Sequence, residues 1–210
     1  MAFFGTVARR IILASASPRR HQLFRLLFDN FEIIESQVNE NLSLGMAPLQ
    51  LAQHLALLKA QDVAEQIDDG IIVGADSIVV VENKILGKPI DAADARKMLG
   101  LLSGKVHEVY TGIAIVEKPS NATKITGAVT HVTFRNIENW EIDRYIEIGN
   151  PFDKAGAYGI QNEAAVFIDK ISGCYYNVMG FPVNEVYQAI KPFVMDNRAF
   201  GDGYRSAFSE

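Results

Sequence analysis

The stretch Gly70-Ile-Ile-Val-Gly-Ala-Asp-Ser-Ile-Val-Val-Val81 is apolar almost throughout, and Ala75-Asp76-Ser77 interrupts it near the middle. A short run dominated by Ile and Val predicts a strand set into the core of a sheet. Glu82-Asn83-Lys84 then reads as a hairpin turn that returns the chain through Ile85 and Leu86. An ionised carboxylate is costly in a core unless it is paired. Asp76 is therefore expected to point into a cleft, bind a metal or meet a cation, the alternative being a core carboxylate satisfied by a backbone N–H. Ser77 reads as an accessory hydrogen-bonding group.

Outward from this strand, the pattern alternates between helix and sheet. Arg10–Ala14 is a second apolar strand, followed by the small-residue turn Ser15-Ala16-Ser17. Pro18 at the first helical position and Ser17 as its cap open a helical pattern through Leu23, Leu26 and Leu27. Residues 31–34 read as a short strand, and Pro48 starts a long amphipathic helix through Leu51, Leu55, Leu58 and Val63. Downstream, Asp91 caps a helix that stops at Ser103-Gly104. Residues 106–116 and 124–134 alternate as two long antiparallel strands. A helix over 137–148 ends at Gly149, and the loop 150–159 leads to a strand at 166–171. A last helix over 182–194 carries the pattern to a Gly- and Ser-rich stretch. The order is not a simple strand–helix–strand series, so it predicts a mixed α/β sheet rather than a parallel dinucleotide fold. Residues 1–195 are expected to form one domain, and 196–210 a flexible tail.

The chain has 210 residues, 49% hydrophobic and 21% charged, the balance of an ordinary globular protein. Twenty Lys and Arg against 25 Asp and Glu give a net charge of -5, which argues against a nucleic-acid polymer as partner. Cys174 is the only cysteine, so neither an internal disulfide nor a thiolate zinc cage can form. No apolar stretch reaches the roughly 20 residues of a membrane helix. Arg9 and Arg10 interrupt the apolar start, which lacks a signal-peptide layout. A cytoplasmic protein without a membrane partner is expected.

Four groups of residues could carry chemistry. Ser15-Ala16-Ser17-Pro18-Arg19-Arg20 sets hydroxyls and N–H groups at a helix N-terminus, a natural anion site. Arginines in a first turn are at the end unfavourable to cations, so Arg19 and Arg20 imply either a bound anion or plain solvation. Lys59 can lay its stem along the apolar face of its helix while its amine reaches a cleft, or it is a solvated lysine. Lys88, in Gly87-Lys88-Pro89, sits on a fixed loop, and Glu40 could supply a second metal-directed carboxylate. In Asp153-Lys154-Ala155-Gly156-Ala157-Tyr158-Gly159-Ile160-Gln161 the small residues permit close backbone approach, and Gln161 offers a donor and an acceptor to a planar base. The four histidines lack metal-ligand spacing and read as structural. Trp140 is expected to pack or half-pack on a helix face, and Tyr175, Tyr176 and Asn177 to shape the cleft wall, with at least one tyrosine packed in the core instead.

Taken in order, LASASPRR (13–20), the Glu40 loop, LLKA (57–60), GADSIVV (74–80), GKP (87–89), HEVYTG (107–112), DKAGAYGIQ (153–161) and YYNVMGFP (175–182) resemble the Maf family of nucleoside triphosphate pyrophosphatases. The resemblance runs from about Ile11 to Glu185. It implies an elongated, twisted mixed sheet flanked by helices, with two lobes around a central cleft, as in the inosine triphosphate pyrophosphatases. It implies cleavage between the α- and β-phosphates of a nucleoside triphosphate, with a divalent cation, Mg²⁺ or Mn²⁺. The AGAYGIQ run resembles the dTTP/UTP-selective branch. By motif match Ser15, Arg19, Arg20, Lys59, Lys88 and Lys154 would hold phosphates, and Gln161 would read the pyrimidine. Asp76 would accept the proton or, with Glu40, organise the metal. A homodimer and a tie to cell division are further implications of the family. Other readings are a purine, 7-methyl-GTP or inosine-type pyrophosphatase, and a nucleotide-binding regulator without turnover. The sequence departs from the family pattern at Ser77, Asn150 and Asn162, where Thr, Glu and Gly are more usual.

Overall fold

A computed structural model describes residues 1–39, 41–161 and 163–195. Glu40 and the expected tail 196–210 lie outside the described residues. Seven strands form one mixed sheet: β1 (Ile11–Ala14), β2 (Glu32–Ile33), β3 (Gly70–Val81), β4 (Lys84–Leu86), β5 (Val106–Lys118), β6 (Thr123–Phe134) and β7 (Ile168–Ser172). Their order is β2-β1-β3-β5-β6-β7, with β4 also on β3. β1 runs parallel to β2 and β3; the remaining pairs are antiparallel.

β3 organises the molecule because both its faces are covered. Ile71, Val73 and Ala75 join Ile11 and Leu13 in a core with α1 (Pro18–Phe24) and α6 (Val183–Val194). Ile72 joins Ile12 and Ala14 on the opposite face, against α2 (Pro48–Ala64). The two-residue period continues: Ile78 and Val80 meet Leu51 and Leu55 of α2, while Val79 and Val81 join a core with α3 (Ala92–Leu102) and α4 (Asn139–Ile148). By the same period Asp76 faces α2 and Ser77 faces α1.

One edge of β3 is shared by two short strands. β1 pairs with residues 71–74 and β4 with residues 79–81. Residues 75–78 fall between them, and the chain leaves β1 there to start α1. Interrupting the sheet at that point opens a cleft beside Asp76. The β3–β4 connection is a two-residue turn in which Glu82 and Asn83 both have positive φ, 49° and 62°, the type I′ geometry that follows the twist of a hairpin.

α2 lies unusually close to the sheet. Its buried Ala52, Ala56 and Ala60 recur every four residues and present a flat stripe. Opposite them are Gly74 and Gly112. A Cβ on Gly74 would stand 2.2 Å from the Ala56 carbonyl oxygen, and one on Gly112 would stand 2.3 Å from backbone atoms of Ala52. Asp91 caps α3 by accepting from the Asp94 N–H at 2.7 Å, as its position predicts.

Several local expectations are corrected. Ser17 makes no side-chain cap; Ser15 Oγ accepts the Ser17 N–H instead. The helix expected from residue 137 starts at Asn139, where Glu138 and Glu141 form a reciprocal capping box. The last strand begins at Ile168 rather than 166, because 163–167 turn as a 3-10 helix. Loop 150–159 holds two more such turns, at Pro151–Asp153 and Ala155–Ala157. Trp140 does not pack: it is 64% exposed, and its indole N–H reaches Glu138. Tyr175 and Tyr176, on the four-residue α5 (Tyr175–Val178), are exposed, while Asn177 beside them is fully buried.

Candidate active site

Every described residue that the sequence assigns to the site lines one cleft of about 410 Å³: Ser15, Arg19 and Arg20 from the β1–α1 turn, Asp76 from β3, Lys59 from α2, Lys88 from the loop after β4, and Lys154 and Gln161 from the loop after α4. Glu40, the other expected metal ligand, lies outside the described residues. Five cationic side chains gather at one place in a chain of net charge -5.

Asp76 is 4% exposed and meets Lys59 Nζ at 2.5 Å. Among the described residues, the cation that burial demands comes from a helix, as the Lys59 ammonium. The close seating of α2 on Gly74 and Gly112 brings Lys59 within reach. On the other face of β3, Ser77 Oγ accepts from Arg20 Nη2 at 3.1 Å and lies 2.8 Å from Thr111 Oγ1. Arg20 Nε donates to the Gly180 carbonyl at 2.9 Å, and Nη1 approaches Ser15 Oγ at 3.4 Å. The guanidinium is thus fixed by three separate segments.

The support for Gly180 was not legible in the sequence. Asn177 Nδ2 donates to the Val109 carbonyl and to Thr130 Oγ1, at 2.9 and 3.0 Å, pinning α5 to β5 and β6. Thr111 Oγ1 adds a bond to the Asn177 carbonyl at 3.3 Å. The run Tyr-Tyr-Asn-Val-Met-Gly names Asn177 beside the tyrosines but carries no sign of its bonds to Val109 and Thr130, which lie far away in sequence.

Asn150 has φ +43°, in the left-handed region that Asn tolerates, and its carbonyl accepts Lys154 Nζ at 2.5 Å. Asp153 Oδ1 accepts the same ammonium, and Oδ2 accepts Arg19 Nη1 at 2.8 Å. Arg19 is therefore partly exposed but already ion-paired, rather than plainly solvated or waiting alone for an anion. Lys88 is exposed and makes no ion pair among the described residues. The loops carrying Lys88 and Lys154 are tied by the Gly156 N–H, which donates to the Gly87 carbonyl at 2.9 Å. Tyr158 lines the cleft and its hydroxyl lies 2.7 Å from His107 Nε2. Burial lowers the His107 pKa to about 4, so this ring is neutral and structural, as the sequence implies.

The arrangement can neutralise a polyphosphate and hold a carboxylate beside it. A family model described as "Maf-like protein" matches residues 10–193. The chain belongs to the Maf family. Its similarity to individual Maf proteins spans nearly the whole chain. It is 47% identical over 188 residues to a "dTTP/UTP pyrophosphatase" of Bacillus cereus (strain Q1), covering 90% of this chain and 97% of that protein. A "dTTP/UTP pyrophosphatase" of Carboxydothermus hydrogenoformans is 46% identical over 182 residues, 87% of this chain and 97% of the relative. One from Bacillus anthracis is 47% identical over 188 residues, with the same coverage as the first. No helix among the described residues is long and apolar enough to cross a membrane.

Proposed function

We propose that this chain hydrolyses the α–β phosphoanhydride bond of nucleoside triphosphates, dTTP and UTP foremost, releasing the monophosphate and pyrophosphate. The observation that carries the reading is the convergence of five cations on the cleft that also holds Asp76. A triphosphate brings nearly four negative charges, and the cleft supplies the opposing ones. The names of relatives about 47% identical along the chain support dTTP and UTP as substrates.

In this reading Arg19, Arg20, Lys59, Lys88, Lys154 and Ser15 bind the phosphates. Arg20, held by Ser77 and Gly180, would act as a fixed donor toward charge that builds on the phosphoryl oxygens. A water oxygen bonds to phosphorus, the bond from that phosphorus to the bridging oxygen breaks, and its electron pair leaves with pyrophosphate. Asp76 would take the proton from the water, oriented by Lys59. Gln161, exposed and among the residues that line the cleft, would read the pyrimidine edge.

The site suits a divalent cation delivered with the nucleotide, Mg²⁺ or Mn²⁺. No group of three His, Cys, Asp or Glu side chains among the described residues could form a protein cage. Mg²⁺ is commonly held by one or two carboxylates plus substrate phosphates; in the alternative in which Asp76 organises the metal instead of taking the proton, Asp76 with Glu40 would supply the protein share. Such an ion would stabilise charge developing on the phosphate oxygens. A cytoplasmic location, where nucleoside triphosphates are made and spent, and a homodimeric assembly complete the reading; sedimentation of the full chain tests the latter.

The deciding experiment is a panel of pyrimidine, purine and modified triphosphates with Mg²⁺ or Mn²⁺, scored for pyrophosphate against orthophosphate. Pyrophosphate from dTTP and UTP is expected, with base preference altered in Gln161→Glu. Binding without product would favour a regulator, and cleavage confined to purines would remove Gln161 from base reading.

A further inference from the structure

Two sides of the cleft are built on different cores. α1 packs through Leu23 and Phe24 into the core shared with β1 and α6. The loop 150–161 packs through Ala157 and Tyr158 into the core of α3 and α4. Its backbone ties, Gly156 to Gly87 and Gly159 to the Tyr145 hydroxyl, also lie on that second side. Ile160 alone returns to the first core, through apolar contact.

Polar contact between the two sides is made by Asp153. Its Oδ2 accepts Arg19 Nη1 at 2.8 Å, its backbone oxygen lies 3.5 Å from Nη2, and its Oδ1 accepts Lys154 Nζ at 2.5 Å. Arg19 and Asp153 are 134 residues apart in sequence. One carboxylate thus stands between two cations facing the same cleft and cancels their mutual repulsion. Neither cation is used up. A guanidinium has five N–H groups and an ammonium three, so both keep donors for a ligand after these bonds are made.

We infer that Asp153 is a positioning residue that clasps the loop carrying Lys154 and Gln161 to α1, presetting the phosphate-binding and base-reading ends of the cleft relative to each other. The inference rests on the reading of this cleft as a triphosphate site. Fixing donors before the ligand arrives removes an ordering cost from binding, so loss of the clasp should appear as weaker substrate binding rather than as an unfolded protein. Asp153 is about half exposed and Arg19 about a quarter, and ion pairs open to solvent add little to global stability.

The test compares Asp153→Asn, Asp153→Ala and Asp153→Glu in the full chain. For the first two, KM for dTTP is expected to rise about tenfold, the effect of losing one well-made charged contact, with a smaller fall in kcat. Discrimination between pyrimidine and purine triphosphates should narrow, because Gln161 is no longer held in register with the phosphates. Asp153→Glu, which keeps the charge, should recover most of both losses; a purely structural role would move neither ratio. Hydrogen exchange without nucleotide supplies a readout independent of turnover: amides of 154–161 should exchange faster in Asp153→Asn than in the parent. Unaltered exchange overturns the clasp, and so does an unchanged KM or a lowered one, the lowered KM marking Asp153 as a competitor for the cations. A parent protein that cleaves no triphosphate would defeat the functional reading, while the exchange measurement would still decide the clasp.

Discussion

Asp76 concentrates the chemical argument in one side chain. Asp76→Asn keeps an oxygen that can accept from Lys59 but cannot take up a proton as a carboxylate does. Turnover is therefore expected to fall by about 10² to 10⁴, the usual contribution of a general base, with little change in the melting temperature. Steady-state kinetics beside a thermal melt checks this, and near-normal turnover would remove Asp76 from the role of proton acceptor. That Asp76 needed a partner could be read from the sequence, because the cost of burying a carboxylate is independent of the fold. Lys59 could be named as a cation able to reach a cleft, but not as that partner, since the seating of a helix on a sheet decides which of its faces meets the strand. Arg19 was harder. Its ion pair with Asp153 joins segments 134 residues apart, and neither segment alone encodes the meeting. Trp140 shows the reverse error: a large apolar ring was expected to pack, yet its position at the start of α4 leaves it in solvent with its N–H on Glu138.

Between β3 and α2 the decisive feature is missing bulk. Gly74 leaves room for the Ala56 carbonyl, and Gly112 for the backbone at Ala52. Because these neighbours are backbone atoms, a new methyl must push the helix outward rather than displace a side-chain tip. Gly74→Ala is expected to cost about 1–3 kcal/mol in urea unfolding, the range for overpacking. It should also slow turnover by about 10²-fold, since a shift of roughly 1 Å in Lys59 is enough to misplace the pair. Gly100→Ala is the control. Gly100 lies in α3 with nothing near its would-be Cβ, and there the substitution should stabilise by about 0.5–1 kcal/mol. If Gly74→Ala behaved like Gly100→Ala, close helix seating would not be what sets the Lys59–Asp76 contact. The strands and long helices are legible because each carries a local signal, a continuous apolar run in β1 and β3, alternation in β5 and β6, and helical spacing in α2. The sheet order was not, as β3 pairs with a strand before it and another after it through contacts far apart in sequence. The displaced start of β7 has a local cause: 163–167 coil as a 3-10 helix before the chain enters the sheet.

Across the molecule, charge and burial respond to pH in separate windows. Glu32 and Glu117 are held below the ordinary carboxylate range, the first mainly by Arg10 and the second by Ser120 and Arg9, and Glu141 is held at about 2 by Arg135. Stability from such groups is present above their ordinary pKa and is lost only as pH falls below it. His107 acts earlier. Buried against Phe134 and Tyr158, it has its pKa lowered from 6.5 to about 4. Above pH 6.5 the ring is neutral in both folded and unfolded chains and contributes no pH dependence. Between 6.5 and about 4 the unfolded chain binds a proton that the folded chain refuses, so folding weakens as pH falls. From pH 7.5 to 5 the loss should be about 2 kcal/mol, at about 1.4 kcal/mol per pH unit below 6.5. Urea unfolding at the two pH values reads it directly. His107→Phe removes the titrating ring while keeping an aromatic against Phe134, so it should flatten the difference even if it lowers stability at both pH values by leaving the Tyr158 hydroxyl without its partner. A parent protein equally stable at pH 7.5 and 5, or a variant that keeps the whole fall, would show that His107 does not govern this window.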